Sequence, residues 1–153
     1  MPKIDVSAVP ERLGADYPAP FLEPVRARRV RRLGDAVGLT QFGVSLVRLP
    51  PGTWSSQRHW HEREDELVWV LEGELVLVTD AGEETLRAGD CAAFKAGVRD
   101  GHHLQNRSPR EAAFLVAGTR SPDGDYGEYP DLDLVFRDDE RGNRYLHKDG
   151  TPY

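Results

Sequence analysis

Apolar and polar positions along this chain repeat with a period of two. In GLTQFGVSLVRLPPG, Phe42, Val44 and Leu46 fall on one face, and Pro50-Pro51-Gly52 ends the run. ELVWVLEGELVLVTDAGEETL reads as a strand, a turn at Glu72-Gly73, a second strand and a second turn at Asp80-Ala81-Gly82. GDCAAFKAG, HHLQNRS and EAAFLVAG follow as further short strands. Strands recurring every 8 to 12 or so residues, with Gly, Pro and Asp between them, predict a sandwich or barrel. No stretch in the middle of the chain sustains a 3.6-residue apolar period, so the expected class is all-β.

Two details refine this pattern. In LVWVL and LVLV both faces are apolar, so these strands are expected to be covered on both sides, by a barrel interior and by a second sheet or subunit. From Pro10 to Pro24 four prolines predict an extended surface segment and no helix. The tail has one apolar strand (Leu132, Leu134, Phe136) and a polar hairpin-like end, which reads as an arm that a second subunit could exchange.

Composition changes the picture in a few places. At 153 residues and 39% hydrophobic, the chain suits one folded domain. No apolar run is long enough to span a membrane, and MPKIDVSAVPERLG lacks the pattern of a signal peptide. The lone Cys91 excludes an internal disulfide and fits a reducing cytoplasm. A formal net charge of -6 argues against a general nucleic-acid binder. VRARRVRR, with Arg26, Arg28, Arg29, Arg31 and Arg32, is either an anion-binding patch or an edge strand whose charges discourage pairing; the edge strand is the favoured reading.

The candidate chemistry sits in HWHEREDELVWVLEGE. On a strand, residues two apart face the same way about 6.6 Å apart along the chain, so His59 and His61 point together. Glu62, Glu64 and Asp65 fall in the turn, where solvated charge is ordinary. Glu66 opens the apolar strand with the parity of Val68 and Val70, and a buried carboxylate there needs a cation or hydrogen-bond partners. HHLQN supplies a further imidazole: His102 shares a face with Leu104 and Asn106, whereas His103 shares one with Gln105. Three imidazoles and a carboxylate suit one divalent transition metal, Fe, Mn, Ni, Cu or Zn.

GTWSSQRHWHEREDELVWVLEG resembles the first signature of the cupin superfamily, with His59, His61, Glu66 and Gly73 on its marked positions. GDCAAFKAGVRDGHHLQN resembles the second, through Gly89, Gly97, His102 and Asn106. The chain departs from the pattern in three places. Six residues separate Gly52 from His59, Lys95 replaces a proline, and two extra residues before His102 leave His103 as its rival. The resemblance implies a cupin-type jelly-roll barrel over residues 38–118, an N-terminal arm and edge strand over 1–37, and a C-terminal arm over 119–153. It also implies a homodimer and a metal held by three histidines and a glutamate, with a small-molecule ligand in the barrel.

The expected function is a metal-dependent enzyme of the oxygenase, decarboxylase or isomerase type, with catalytic residues unassigned. The alternative is a non-catalytic small-molecule-binding or sensing module with a structural metal, and a storage barrel ranks third. Other residues read structurally: Gly73 and Gly89 as turn glycines, Cys91 as small and buried, Phe94 as core and cavity lining, and His147 as solvated. Trp54, Trp60 and Trp69 read as packing residues, with Trp60 outward and needing cover.

Overall fold

The computed structural model describes residues 3–153. With 47% strand against 9% helix, it bears out the all-β jelly-roll expectation. In chain order the strands are β1 (Glu11–Leu13), β2 (Arg29–Arg32), β3 (Phe42–Leu49), β4 (Trp60–His61), β5 (Glu66–Glu72), β6 (Glu74–Thr79) and β7 (Gly82–Arg87). They continue as β8 (Cys91–Phe94), β9 (His103–Gln105), β10 (Ala112–Thr119), β11 (Asp125–Tyr129), β12 (Leu134–Asp139) and β13 (Gly142–Leu146). One four-residue helix, α1 (Leu33–Ala36), follows β2.

Three sheets result, ordered β1-β2-β3-β10-β5-β8, β13-β12-β11-β4 and β7-β6-β9. The strand alternation decides what lies inside. On β5, Val68 and Val70 are buried, as their shared parity with Glu66 predicts. On β3 the inward residues are Val47 and Leu49, so Phe42, Val44 and Leu46 form the outer face. A main core joins these to Val30, Leu75, Leu77, Leu86, Leu104, Ala112 and Phe114. A second core gathers Tyr17, Val25, Tyr129, Leu134 and Phe136.

The β5–β6 turn shows why a glycine stands at position 73. Its φ is 78°, and a Cβ there would lie 3.0 Å from Ala112 Cα and Cβ. At Gly127 on β11 the crowding is steric: a Cβ would sit 2.0 Å from the Phe136 ring and 2.5 Å from the Trp60 carbonyl. Only a glycine lets β4 approach β11 while Phe136 passes between them.

Several expectations are corrected. VRARRVRR is not an edge: β2 pairs with β1 on one side and β3 on the other, so β1 is the outer strand. The proline-rich segment is neither wholly extended nor superficial, because it makes two 3₁₀ turns (Ala19–Phe21 and Glu23–Val25) and buries Tyr17 and Val25. The C-terminal arm packs within its own chain, where β11, β12 and β13 form a sheet with β4 and supply Tyr129, Leu134 and Phe136 to the second core. Its His147 donates to Asp133 at 2.7 Å and stacks on Tyr153.

Cys91 is exposed, because its edge-strand parity turns it to the outer face. Trp60 is covered within its own chain, by the Arg99 guanidinium 5.2 Å from the ring and by Tyr126. LVWVL is covered on only one side within the chain: Leu67, Trp69 and Leu71 are 40%, 49% and 43% exposed. Trp69 is therefore not a core packing residue of the single chain.

Asn106, which the second signature marks, is 1% exposed and ties strand ends together. Its amide donates to the carbonyls of Leu49 and Arg110, both at 2.7 Å. Its oxygen accepts from the Ser108 amide and hydroxyl. Asn106→Ala removes the donor to the buried Leu49 carbonyl and should destabilise the fold by about 2 kcal/mol, read from chemical denaturation. A loss below about 0.5 kcal/mol, the range of ordinary surface substitutions, would show the clamp to be dispensable.

Candidate metal centre

His59, His61 and Glu66 converge, with ligand atoms all within 4.8 Å of one another. β4 carries His61, and an isolated bridge sets His59 beside His102: His59 N donates to His102 O at 3.2 Å, and His102 N to His59 O at 2.9 Å. β5 brings in Glu66, whose Oε2 lies 3.8 Å from His61 Nε2 and whose Oε1 lies 3.5 Å from His102 Nε2. Three of the four residues singled out in the sequence thus share one cluster, and His102 adjoins it through Glu66.

The partners of each ring fix which nitrogen faces that point. His59 Nδ1 donates to the Gln57 carbonyl at 2.9 Å, and His61 Nδ1 donates to Asp125 at 2.6 Å. A carbonyl and a carboxylate only accept, so each Nδ1 carries a proton, and His59 Nε2 offers a lone pair, as does His61 Nε2 when that ring is neutral. Those two Nε2 atoms stand 3.1 Å apart. A proton on His61 Nε2, or a cation between the two atoms, satisfies both nitrogens. Nitrogens bound to one ion at about 2.1 Å stand roughly 3.0–3.4 Å apart, so the observed spacing fits. His102 Nε2 is buried with no hydrogen-bond partner among the described residues, as an unused ligand atom would be. The donor set therefore fits a divalent transition metal.

His103 is turned away and fully used. Its Nδ1 donates to the Ser56 carbonyl at 3.0 Å, its Nε2 meets the Gln105 amide at 2.9 Å, and Trp54 packs edge-on against it. Leu104, of the same parity as His102, lies in the main core, so the strand carries no register slip that would exchange the two histidines.

Aromatic rings lock the imidazoles. Phe94 stacks on His102 at 3.5 Å, Tyr129 stacks on His59 at 5.5 Å and Phe136 meets His61 at 5.3 Å. The centre thus sits where the two cores meet.

Burial pushes the His59 imidazole down to about 3, with His61 and His102 adding to the effect. Burial also acts downward on His61, but Asp125 and Glu66 outweigh it and leave that ring above its ordinary value. Burial alone would raise Glu66, yet His102, His59 and His61 hold it down to about 2. The pocket therefore keeps the carboxylate ionised and His59 neutral, the forms in which each can ligate.

Two carboxylates escaped the sequence reading. Asp125, on β11, is buried and spends its oxygens on His61 Nδ1 and the Arg63 amide. Its signal was the alternation Asp125-Tyr126-Gly127-Glu128-Tyr129, which puts Asp125, Gly127 and Tyr129 on one buried face. Glu64 is no solvated turn residue. It is half-buried, accepts from the Ser121 amide at 3.0 Å, and burial raises its carboxyl above the usual range. Glu64 and Asp125 form a second cluster with His61. Asp125 is already saturated, which argues against a second ion there.

The centre opens on a cavity of about 400 Å³. Glu64, Phe94 and Val116 line it near the histidines, and the N-terminal segment contributes Tyr17, Arg28, Val30 and Arg32. Its volume lies within the usual range for small-molecule sites. No helix among the described residues is long and apolar enough to cross a membrane.

The cupin domain model matches residues 45–118. Among solved structures, a sugar phosphate isomerase from a cupin superfamily of Silicibacter pomeroyi is 47% identical, with a TM-score of 0.91 over 99% of this chain and 96% of that one. A putative sugar phosphate isomerase from Acidithiobacillus ferrooxidans is 28% identical, with a TM-score of 0.74 over 83% of this chain and 80% of that one. A predicted oxalate decarboxylase from Thermotoga maritima, at 20% identity and a TM-score of 0.63 over 76% and 97% of the two chains, shares the fold alone. No match is found among curated proteins. Two signature motifs, the jelly-roll topology and near-complete overlap with a 47% identical cupin place this chain in the cupin superfamily.

Proposed function

We propose that this protein is a metal-dependent isomerase of sugar phosphates, with one divalent metal held by His59, His61, Glu66 and His102. The observation that carries the reading is 47% identity to a sugar phosphate isomerase over 99% of the chain. The facing Nε2 atoms of His59 and His61 and the orphaned His102 Nε2 support the metal.

Isomerisation between an aldose and a ketose moves one proton between neighbouring carbons and needs no external oxidant. A bound divalent metal would polarise the sugar's oxygens and so acidify the carbon to be deprotonated. Glu64 lines the cavity outside the ligand set and is the carboxylate free to take that proton and return it to the adjacent carbon. Tyr129 and Phe136 hold the imidazoles still while this happens.

Metal analysis of purified protein, followed by a panel of pentose and hexose monophosphates, tests the reading. Stoichiometric metal should vanish in the His59→Ala/His61→Ala double variant. Glu64→Gln should keep its metal and lose about 10²- to 10⁴-fold in kcat. Metal without turnover of any sugar phosphate would leave a binding or sensing module instead.

Asp125 orients His61 and raises its basicity, the part a carboxylate plays behind a ligating imidazole. Asp125→Asn should weaken metal affinity about 10- to 100-fold in a competition titration with a chelator. Unchanged affinity would reduce Asp125 to a strand fastener.

The outer face of the six-stranded sheet suits a second copy of this chain. Leu67, Trp69, Leu71 and Phe42 are all exposed there, and such an apolar face on a folded chain is a contact surface. Light scattering at micromolar concentration should give twice the 17.1 kDa chain mass, and Trp69→Glu should return it to a monomer. A monomeric wild-type chain removes this proposal.

A further inference from the structure

The arginine run VRARRVRR is only partly explained by pairing between strands. On β2, Arg29 and Arg31 lie on one face and are answered by carboxylates: Arg29 by Glu111, and Arg31 by Glu11 at 3.3 Å. Arg28, Val30 and Arg32 have the opposite parity and line the cavity of the candidate metal centre. The run is therefore split, with one set serving the sheet and the other facing the site.

Arg28 is the unusual member. Its Nε, like that of Arg29, is buried with no hydrogen-bond partner among the described residues, but Arg29 has Glu111 as a counter-charge and Arg28 has no ion pair among those residues. Its assigned bond is Nη1 donating to the Ser55 carbonyl, which leaves most of the guanidinium's five donors free. Burial lowers its pKa, and the groups acting on it most are Tyr17, Tyr145, Tyr129 and Arg32, with no carboxylate among them. A guanidinium stays charged under such conditions, and a buried cation without a counter-charge is costly. The other cavity arginines differ. Arg120 is paired with Asp35 and donates to the Leu39 carbonyl at 3.2 Å. Arg32 stands 3.6 Å from Asp35 and is half exposed, so it can turn to a ligand.

We propose that Arg28, backed by Arg32, is the anion subsite of this cavity and takes the phosphate group of a sugar monophosphate. The choice of phosphate rests on the isomerase reading; the need for an anion rests on Arg28 itself. A planar fork of donors matches phosphate oxygens, and the Ser55 carbonyl holds that fork in place. The cavity is then divided, with cationic donors on the N-terminal segment and the histidine–glutamate cluster on the sheets. A sugar phosphate lying between them would present its carbonyl end to Glu64 and the metal ligands.

Calorimetric titration of the metal-loaded full chain at fixed ionic strength tests this, with inorganic phosphate, a hexose monophosphate and the unphosphorylated hexose as probes. Inorganic phosphate and the monophosphate should bind, and the plain sugar should bind far more weakly. Arg28→Gln should weaken both phosphate probes about 10- to 100-fold, the loss expected for a charged hydrogen-bonding group, while Arg28→Lys retains part of the affinity. Metal content, read in the same samples, should not change. Equal phosphate affinity in wild type and Arg28→Gln, or no phosphate binding by wild type, overturns the subsite. Should Arg28→Gln fail to fold, Arg32→Gln is read instead, and it must lose several-fold. Phosphate binding that depends on Arg28 without turnover of any sugar phosphate upholds the subsite and sinks the isomerase. Turnover with an unchanged KM in Arg28→Gln does the reverse.

Discussion

The hydrogen bond from His61 to Asp125, 2.6 Å long between residues 64 apart in sequence, is the contact on which the centre depends. β4, which carries His61, is only two residues long and pairs with no strand but β11. Too short to hold a ligand alone, it is fixed by Asp125 on one ring nitrogen, by the ladder to Gly127 and Glu128, and by Phe136 against the imidazole face. The C-terminal sheet is thus a component of the site.

The other constraint is charge in a dry place. Three imidazoles and a carboxylate share one small volume, and each outward nitrogen is committed to a protein acceptor or, for His102, faces the Asp100 carbonyl. With the outer contacts in place, the inner nitrogens and the Glu66 carboxylate are left facing one another. Orientation of the rings is therefore set by the scaffold, through the groups on their outer nitrogens.

The strands around the middle of the chain and the convergence of His59, His61 and Glu66 were legible because both obey simple parity. Glu66, Val68 and Val70 share a face, and so do His102 and Leu104; the structure keeps both relations. What parity could not supply was depth. The residues at positions 28, 30 and 32 alternate as visibly as any, yet whether β2 is an edge depends on β1, a three-residue strand with no apolar signal of its own beyond Leu13. Cys91 alternates correctly and still lies outside, since an edge strand's outer face has no cover within the chain. The alternation from Asp125 to Tyr129 was present but masked by its setting between proline, glycine and acidic residues, which read as loop. Glu64 was hidden for another reason: a turn is exposed unless another segment folds over it, and Ser121 belongs to such a segment.

The N-terminal segment shapes the cavity without supplying any of the four converging ligands, for Tyr17, Arg28 and Arg32 all precede the residues that match the cupin domain model. The cavity wall is thereby shared between the matched region and a stretch that precedes it. The segment is nonetheless coupled to the cluster, because Tyr17 packs on Tyr129, which stacks on His59, and Gln57, whose carbonyl holds His59, bonds Tyr17 and Phe21.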